Sequence, residues 1–90
     1  MWVNVITLVH SSLYTKDAMQ QWNKDLLIAC QRYLLMRVFN WAADAKLSWF
    51  IPDGIHYAPA GYVARTRLIA HAVVRAFPSG QGPSATCLVH

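Results

Sequence analysis

The sequence predicts an α/β fold, on three observations. Two apolar runs rich in β-branched and aromatic residues, at 2–9 and 35–41, lack helical spacing and read as buried strands. Between them Met19, Trp22, Leu26, Ala29, Cys30 and Tyr33 recur at three- and four-residue steps, which puts them on one face of a helix over 18–33. After an irregular stretch, Pro59 opens a second long helical pattern. A strand, helix, strand unit in one sheet implies parallel strands, with ligands held outside their carboxyl ends.

Taken in order, the first strand ends before a loop carrying Ser11, Ser12, Thr15 and Asp17, and Asp17 is placed to cap the first helix. Leu34, Leu35 and Met36 suit either the start of the second strand or an extension of that helix. Residues 42–58 are irregular, with Pro52 and Gly54 as breakers. In the helix that follows, Tyr62, Ile69, Val73, Ala76 and Phe77 mark the expected buried side, and Arg67, His71 and Arg75 a solvated stripe. Pro78, Gly80, Gly82 and Pro83 end the pattern. The domain is therefore expected to span 1–78, with 79–90 a mobile tail.

Ninety residues allow one small domain, yet 56% of them are hydrophobic and four are Trp. That is more apolar content than a solvated domain of this size usually carries, so faces of these elements are expected to need partners. Trp2, Trp22, Trp41 and Trp49 read first as core packing. The net charge of +4 comes from scattered Lys and Arg with no run, which argues against nucleic acid as a partner. Cys30 and Cys87 form no close-spaced metal or redox motif and read as a buried thiol and a tail thiol. His10, His71 and His90 have no ligand spacing, so neither metal nor other cofactor is indicated. The apolar run at 5–9 is too short for a signal peptide or a transmembrane segment, and the chain carries no address that would assign a compartment.

The motif with chemistry is Asp53-Gly54-Ile55-His56-Tyr57, followed by Pro59-Ala60-Gly61-Tyr62. A carboxylate and an imidazole three positions apart on one tight turn can point the same way. Such an Asp fixes the tautomer of the His and stabilises the imidazolium formed when it takes a proton from an attacking hydroxyl. The plain alternative is an Asp-Gly turn whose His satisfies a backbone carbonyl.

Residues 49–78, WFIPDGIHYAPAGYVARTRLIAHAVVRAFP, resemble the C-terminal block of SGNH/GDSL-type hydrolases, especially actinobacterial-like ones. The WVNVIT strand, Asn23 and Leu26 in the first helix, and a strand ending near a Trp are similar to the segment preceding that block. The resemblance covers most of 2–78 and is most specific at 49–62. It implies a three-layer α/β/α, flavodoxin-like fold and a Ser-His-Asp triad in which Asp53 orients His56 and His56 serves as general base, then general acid. It also implies esterase, lipase or acyl-transfer chemistry on an ester-type small molecule or on a lipid or carbohydrate acyl group.

The chain departs from that pattern where the nucleophile should be. No Gly-Asp-Ser block is present, nor the Gly and Asn blocks that complete an oxyanion hole, and Asn40 stands where an Asp is common in similar sequences. Ser11, Ser12, Ser48, Ser79 and Ser84 are the serines, and none lies in a nucleophile elbow. Losing one triad member costs roughly 10⁴ to 10⁶ in rate. The chain is accordingly expected to be a fragment, inactive alone, that an N-terminal fragment would complement. The competing expectation is a small non-enzymatic α/β protein that self-associates through an exposed sheet edge and helix faces.

Overall fold

A computed structural model describes residues 1–10 and 13–90. Ser11 and Ser12, part of the loop read from the sequence, lie outside the described residues. The architecture is mixed α/β, with strands β1 (Trp2–Val3), β2 (Val38–Phe39) and β3 (Leu88–Val89) and helices α1 (Lys16–Arg32), α2 (Trp41–Asp44) and α3 (Pro59–Ala76), plus a 3₁₀ turn at Leu47–Trp49. The sheet order is β1-β2-β3, all parallel, with Trp2 opposite Val38, Val3 opposite Phe39, Val38 opposite Leu88 and Phe39 opposite Val89.

Alternation along the strands sends successive side chains to opposite faces, and both faces are covered. Val38 packs with Leu26 and Cys30 of α1, with Leu88, Cys87 and Met36 alongside. Phe39 packs with Trp41, Val89 and the Ala72 and Ala76 of α3. The sheet thus carries α1 on one face and α3 on the other.

Each strand is shorter than its apolar run. Beyond Asn4, whose N–H still donates to the Phe39 carbonyl at 3.1 Å, the chain leaves the ladder and Asn23 on α1 clamps it. Its amide oxygen accepts from the Val5 N–H at 2.9 Å and its amide nitrogen donates to the Val5 carbonyl at 2.7 Å. The second run is cut at both ends. Residues 33–36 form a turn in which the Met36 N–H donates to the Tyr33 carbonyl, leaving Leu34 and Leu35 exposed, and Trp41 already opens α2.

Helix α1 lies where the periodicity puts it, but its cap is Thr15, whose hydroxyl accepts from the Ala18 N–H at 3.2 Å; Asp17 sits in the first turn, where a negative charge complements the helix dipole. Helix α3 begins at Pro59 as expected. Its buried side matches the expected one in part, with Ala76 buried and Ile69 packed against the core. Gly61, Ala64, Ala72 and Ala76 are buried, whereas Tyr62, Val73 and Phe77 are exposed. Small residues win because they bring the helix backbone close to the Trp41 and Trp49 layer: a Cβ on Gly61 would stand 2.7 Å from the Trp49 carbonyl oxygen. Arg67, His71 and Arg75 are exposed, as the four-residue stripe predicts.

The largest difference from the sequence reading is at the C-terminus. Residues 79–90, expected as a mobile tail, contribute β3, with Val89 buried. Three tethers put them there. Cys87 is disulfide-bonded to Cys30, correcting the reading of two thiols. The buried Arg37 guanidinium donates to the Ser84 carbonyl, and the Ser84 N–H donates to the Ala76 carbonyl. Contacts across 47 to 57 residues of sequence leave no periodic trace in the tail itself.

Candidate active site

The Asp53 and His56 loop is built from the outside in. Phe50 and Tyr57 form an antiparallel bridge that closes its neck. Inside it, the Ile51 N–H donates to the His56 carbonyl at 3.0 Å and the Gly54 N–H to the Ile51 carbonyl at 3.0 Å. Gly54 takes φ +72°, a left-handed conformation that costs a residue with a Cβ roughly 1–2 kcal/mol. A Cβ there would also stand 3.3 Å from the Leu8 Cβ. The Leu8 N–H donates to the Gly54 carbonyl at 2.8 Å, so the chain leaving the carboxyl end of β1 docks against the turn.

The Asp53 carboxylate is used at both oxygens. Oδ1 accepts from the backbone N–H groups of Ile55 and His56, each at 2.9 Å, and Oδ2 lies 2.5 Å from His56 Nδ1. These bonds favour the charged form and lower the Asp53 pKa to about 2; the His56 side chain contributes most, followed by the Ile55 and His56 amides. An ionised Asp53 can only accept, so Nδ1 carries the proton and Nε2 is left as the basic nitrogen of the neutral ring. Among the described residues Nε2 has no hydrogen-bond partner, and the His56 side chain is 65% exposed. The pairing expected from the three-residue spacing is formed, and the alternative in which the imidazole satisfies a backbone carbonyl is not.

Beneath the loop lies an aromatic base that the sequence reading only partly anticipated. Trp41, fully buried, stacks on Trp49 with ring centres 5.8 Å apart and planes 5° from parallel. Tyr57, the residue after His56, meets Trp41, Phe50 and Tyr62 at 5.5, 5.0 and 5.2 Å between ring centres. Its hydroxyl accepts from the Trp41 indole N–H at 2.8 Å, which satisfies a donor that would otherwise be stranded in the core. Arg65 places its guanidinium over the Trp41 ring at 5.7 Å. The expectation of core packing therefore holds for Trp41 and Trp49, while Trp2 and Trp22 are exposed by about half.

A second polar arrangement sits where β1 and β2 end. Buried Asn4 donates from its amide to the Asn40 side-chain oxygen at 2.8 Å, and its own oxygen accepts from the Ala42 N–H at 2.8 Å. Asn40 thus holds a neighbouring side chain rather than an ionisable partner. The sequence signal for this pair was an Asn directly after each strand.

Among the described residues no serine hydroxyl is hydrogen-bonded to the imidazole. Ser48 is exposed on the 3₁₀ turn and Ser84 is engaged with Arg37 and with the Thr86 carbonyl. Among the described residues no group of His, Cys, Asp or Glu side chains is arranged to hold a metal ion. No helix among them is long and apolar enough to cross a membrane. No protein-family model, curated protein or solved structure matches the chain.

Proposed function

We propose that these residues form the C-terminal block of an SGNH/GDSL-type serine hydrolase with a three-layer, flavodoxin-like sheet, supplying the triad His56 and Asp53 to a serine carried by a segment outside them. The observation that carries this reading is the 2.5 Å contact between His56 Nδ1 and Asp53 Oδ2, with Nε2 facing no partner among the described residues. An imidazole held by a carboxylate at one nitrogen and open at the other is the arrangement a nucleophilic hydroxyl needs. In the mechanism, Nε2 takes the proton of the incoming serine hydroxyl as it attacks an ester carbonyl. The imidazolium so formed is stabilised by Asp53 and then protonates the leaving alcohol. The second half-reaction repeats the transfer with water. The oxyanion donors, worth about 3 to 4 kcal/mol each, would also come from the missing segment.

The test is complementation. The chain alone is expected to show no hydrolysis of p-nitrophenyl acetate above buffer. Mixed with an N-terminal fragment carrying Gly-Asp-Ser and Gly-x-Asn blocks, it is expected to gain activity that His56→Ala removes. Equal rates from the wild-type and His56→Ala mixtures would defeat the assigned role.

A second reading, a non-enzymatic protein that self-associates, is favoured by a different observation. An open apolar groove of about 490 Å³ runs along α1 and β1, lined by Met1, Trp2, Trp22, Leu26, Tyr33 and Met36. Sedimentation separates the two: a concentration-dependent dimer lacking any response to the N-terminal fragment supports self-association.

A further inference from the structure

We propose that the Cys30–Cys87 disulfide is a redox latch on β3: a dithiol reductant opens it and releases the residues after Ser84 from the sheet. Four observations combine. First, β3 is short, and apart from the disulfide it is held by its ladder with β2 and by the packing of Leu88 and Val89. It spans Leu88–Val89 and receives two backbone hydrogen bonds, from the Val38 N–H to the Cys87 carbonyl at 2.9 Å and from the Asn40 N–H to the Val89 carbonyl at 2.8 Å. Second, the remaining anchors stop short of it. Arg37 and the Ala76 carbonyl both hold Ser84, so reduction leaves the tail tied there and free beyond.

Third, the two cysteines differ in burial. Cys30 is 2% exposed, whereas Cys87 is only partly buried, so an attacking thiolate reaches Cys87 first. The reductant's thiolate bonds to the Cys87 sulfur, the bond between the two cysteines breaks, and Cys30 leaves as a thiolate that is then protonated. The second thiol of the reductant displaces Cys87, giving a second protein thiol and an oxidised dithiol. Fourth, the reduced state has a place for the buried thiol. The Met36 carbonyl oxygen lies 3.0 Å from Cys30 Sγ, where the S–H of the reduced form can donate.

Opening the latch has a defined structural result. Val89 packs with Phe39, Trp41, Ala72 and Ala76, so its departure uncovers that cluster and frees the second edge of β2. An oxidising compartment keeps the latch closed, and a dithiol pool opens it. This holds whether or not the chain is part of a hydrolase.

The experiment is amide hydrogen exchange on the full chain, oxidised, reduced with dithiothreitol, and reoxidised, with thiol counting by alkylation at each stage. Val38 and Asn40 report β3 docking, because their N–H groups bond to Cys87 and Val89; Trp2 and Asn4 report the β1 and β2 pairing, through the Arg37 and Phe39 carbonyls. On reduction, exchange at Val38 and Asn40 is expected to rise by at least about fivefold, the gain in chain freedom when the nearest tether moves back to Ser84. Trp2 and Asn4 should keep their protection, and reoxidation should restore all four. A Cys87→Ser variant should match the reduced pattern. Unchanged exchange at Val38 and Asn40 overturns the latch, since noncovalent docking then suffices. Joint loss at all four amides overturns it too, because the bond is then a staple of the whole fold. Two free thiols before reduction, or a bond that resists the dithiol, also defeat it.

Discussion

The two faces of α1 and α3 that meet the sheet look alike in topology and differ in completion. Around the Asp53 and His56 loop, Trp41, Trp49, Phe50 and Tyr57 pack ring against ring, the indole N–H of Trp41 has its acceptor, and both Asp53 oxygens are engaged. Along α1 and β1, by contrast, Trp2 is 55% exposed, Trp22 48%, and Tyr33 stands over an open groove. The lesson concerns sequence distance. The loop is satisfied mostly by residues within a short stretch, 41–62, with Leu8 docked on Gly54, whereas the apolar face of α1 meets Val38, Met36, Cys87 and Leu88 and leaves Trp22 half exposed.

That contrast can be broken by substitution, the largest effect first. In a complemented hydrolase, His56→Ala is expected to lower the rate by roughly 10⁴ to 10⁶, since a triad member acts as part of a unit. Initial rates of p-nitrophenyl acetate hydrolysis give the value, and a loss below about tenfold would place His56 outside the chemistry.

Next comes stability. Trp41→Ala empties a fully buried site and is expected to cost about 3–5 kcal/mol, while Trp22→Ala, on the open groove, should cost less than about 1 kcal/mol. Urea unfolding of both variants measures the gap. Equal costs would mean that the groove is covered in solution.

A smaller effect is expected at the turn. Gly54→Ala forces a Cβ into the left-handed region against Leu8 and should cost about 1–2 kcal/mol, read as a shift in the urea midpoint with the slope unchanged. Asp53→Asn tests the same turn differently, because it keeps the shape and removes the charge that orients the imidazole.

The smallest effect is the pH dependence of the loop. The Asp53 pKa falls from the usual 3.8 to about 2 in the folded chain, so ionised Asp53 stabilises the fold above 3.8 and that contribution is lost as pH falls toward about 2. A carboxyl ¹³C NMR titration of Asp53 should show its midpoint in that lower range. A midpoint near 3.8 would mean that the contact with His56 is not kept in solution.

Much of the candidate site was legible because it is local. Asp53 and His56 are three residues apart, Gly54 marks the turn between them, and Pro59 fixes the start of the helix behind it. Helix α1 was legible for the same reason, through a period that any amphipathic helix shows. The buried side of α3 was read correctly at Ile69 and Ala76 and missed elsewhere, because hydrophobicity favours large residues while close helix approach favours Gly61, Ala64 and Ala72. Tyr57 was read as part of a motif, and its bond to Trp41 depends on a partner 16 residues away.

By itself, then, the sequence determined the α/β class, the positions of α1 and α3 and the Asp53 and His56 turn, all of which follow from interactions within one helix or one turn. The tertiary structure alone decided that residues 88–89 make a third strand, that Cys30 and Cys87 are joined, and that Trp41 and not Trp22 lies at the core. The physical reason is that pairing, disulfide bonding and burial depend on which distant residues share space, and a chain records no period for a neighbour 57 residues away.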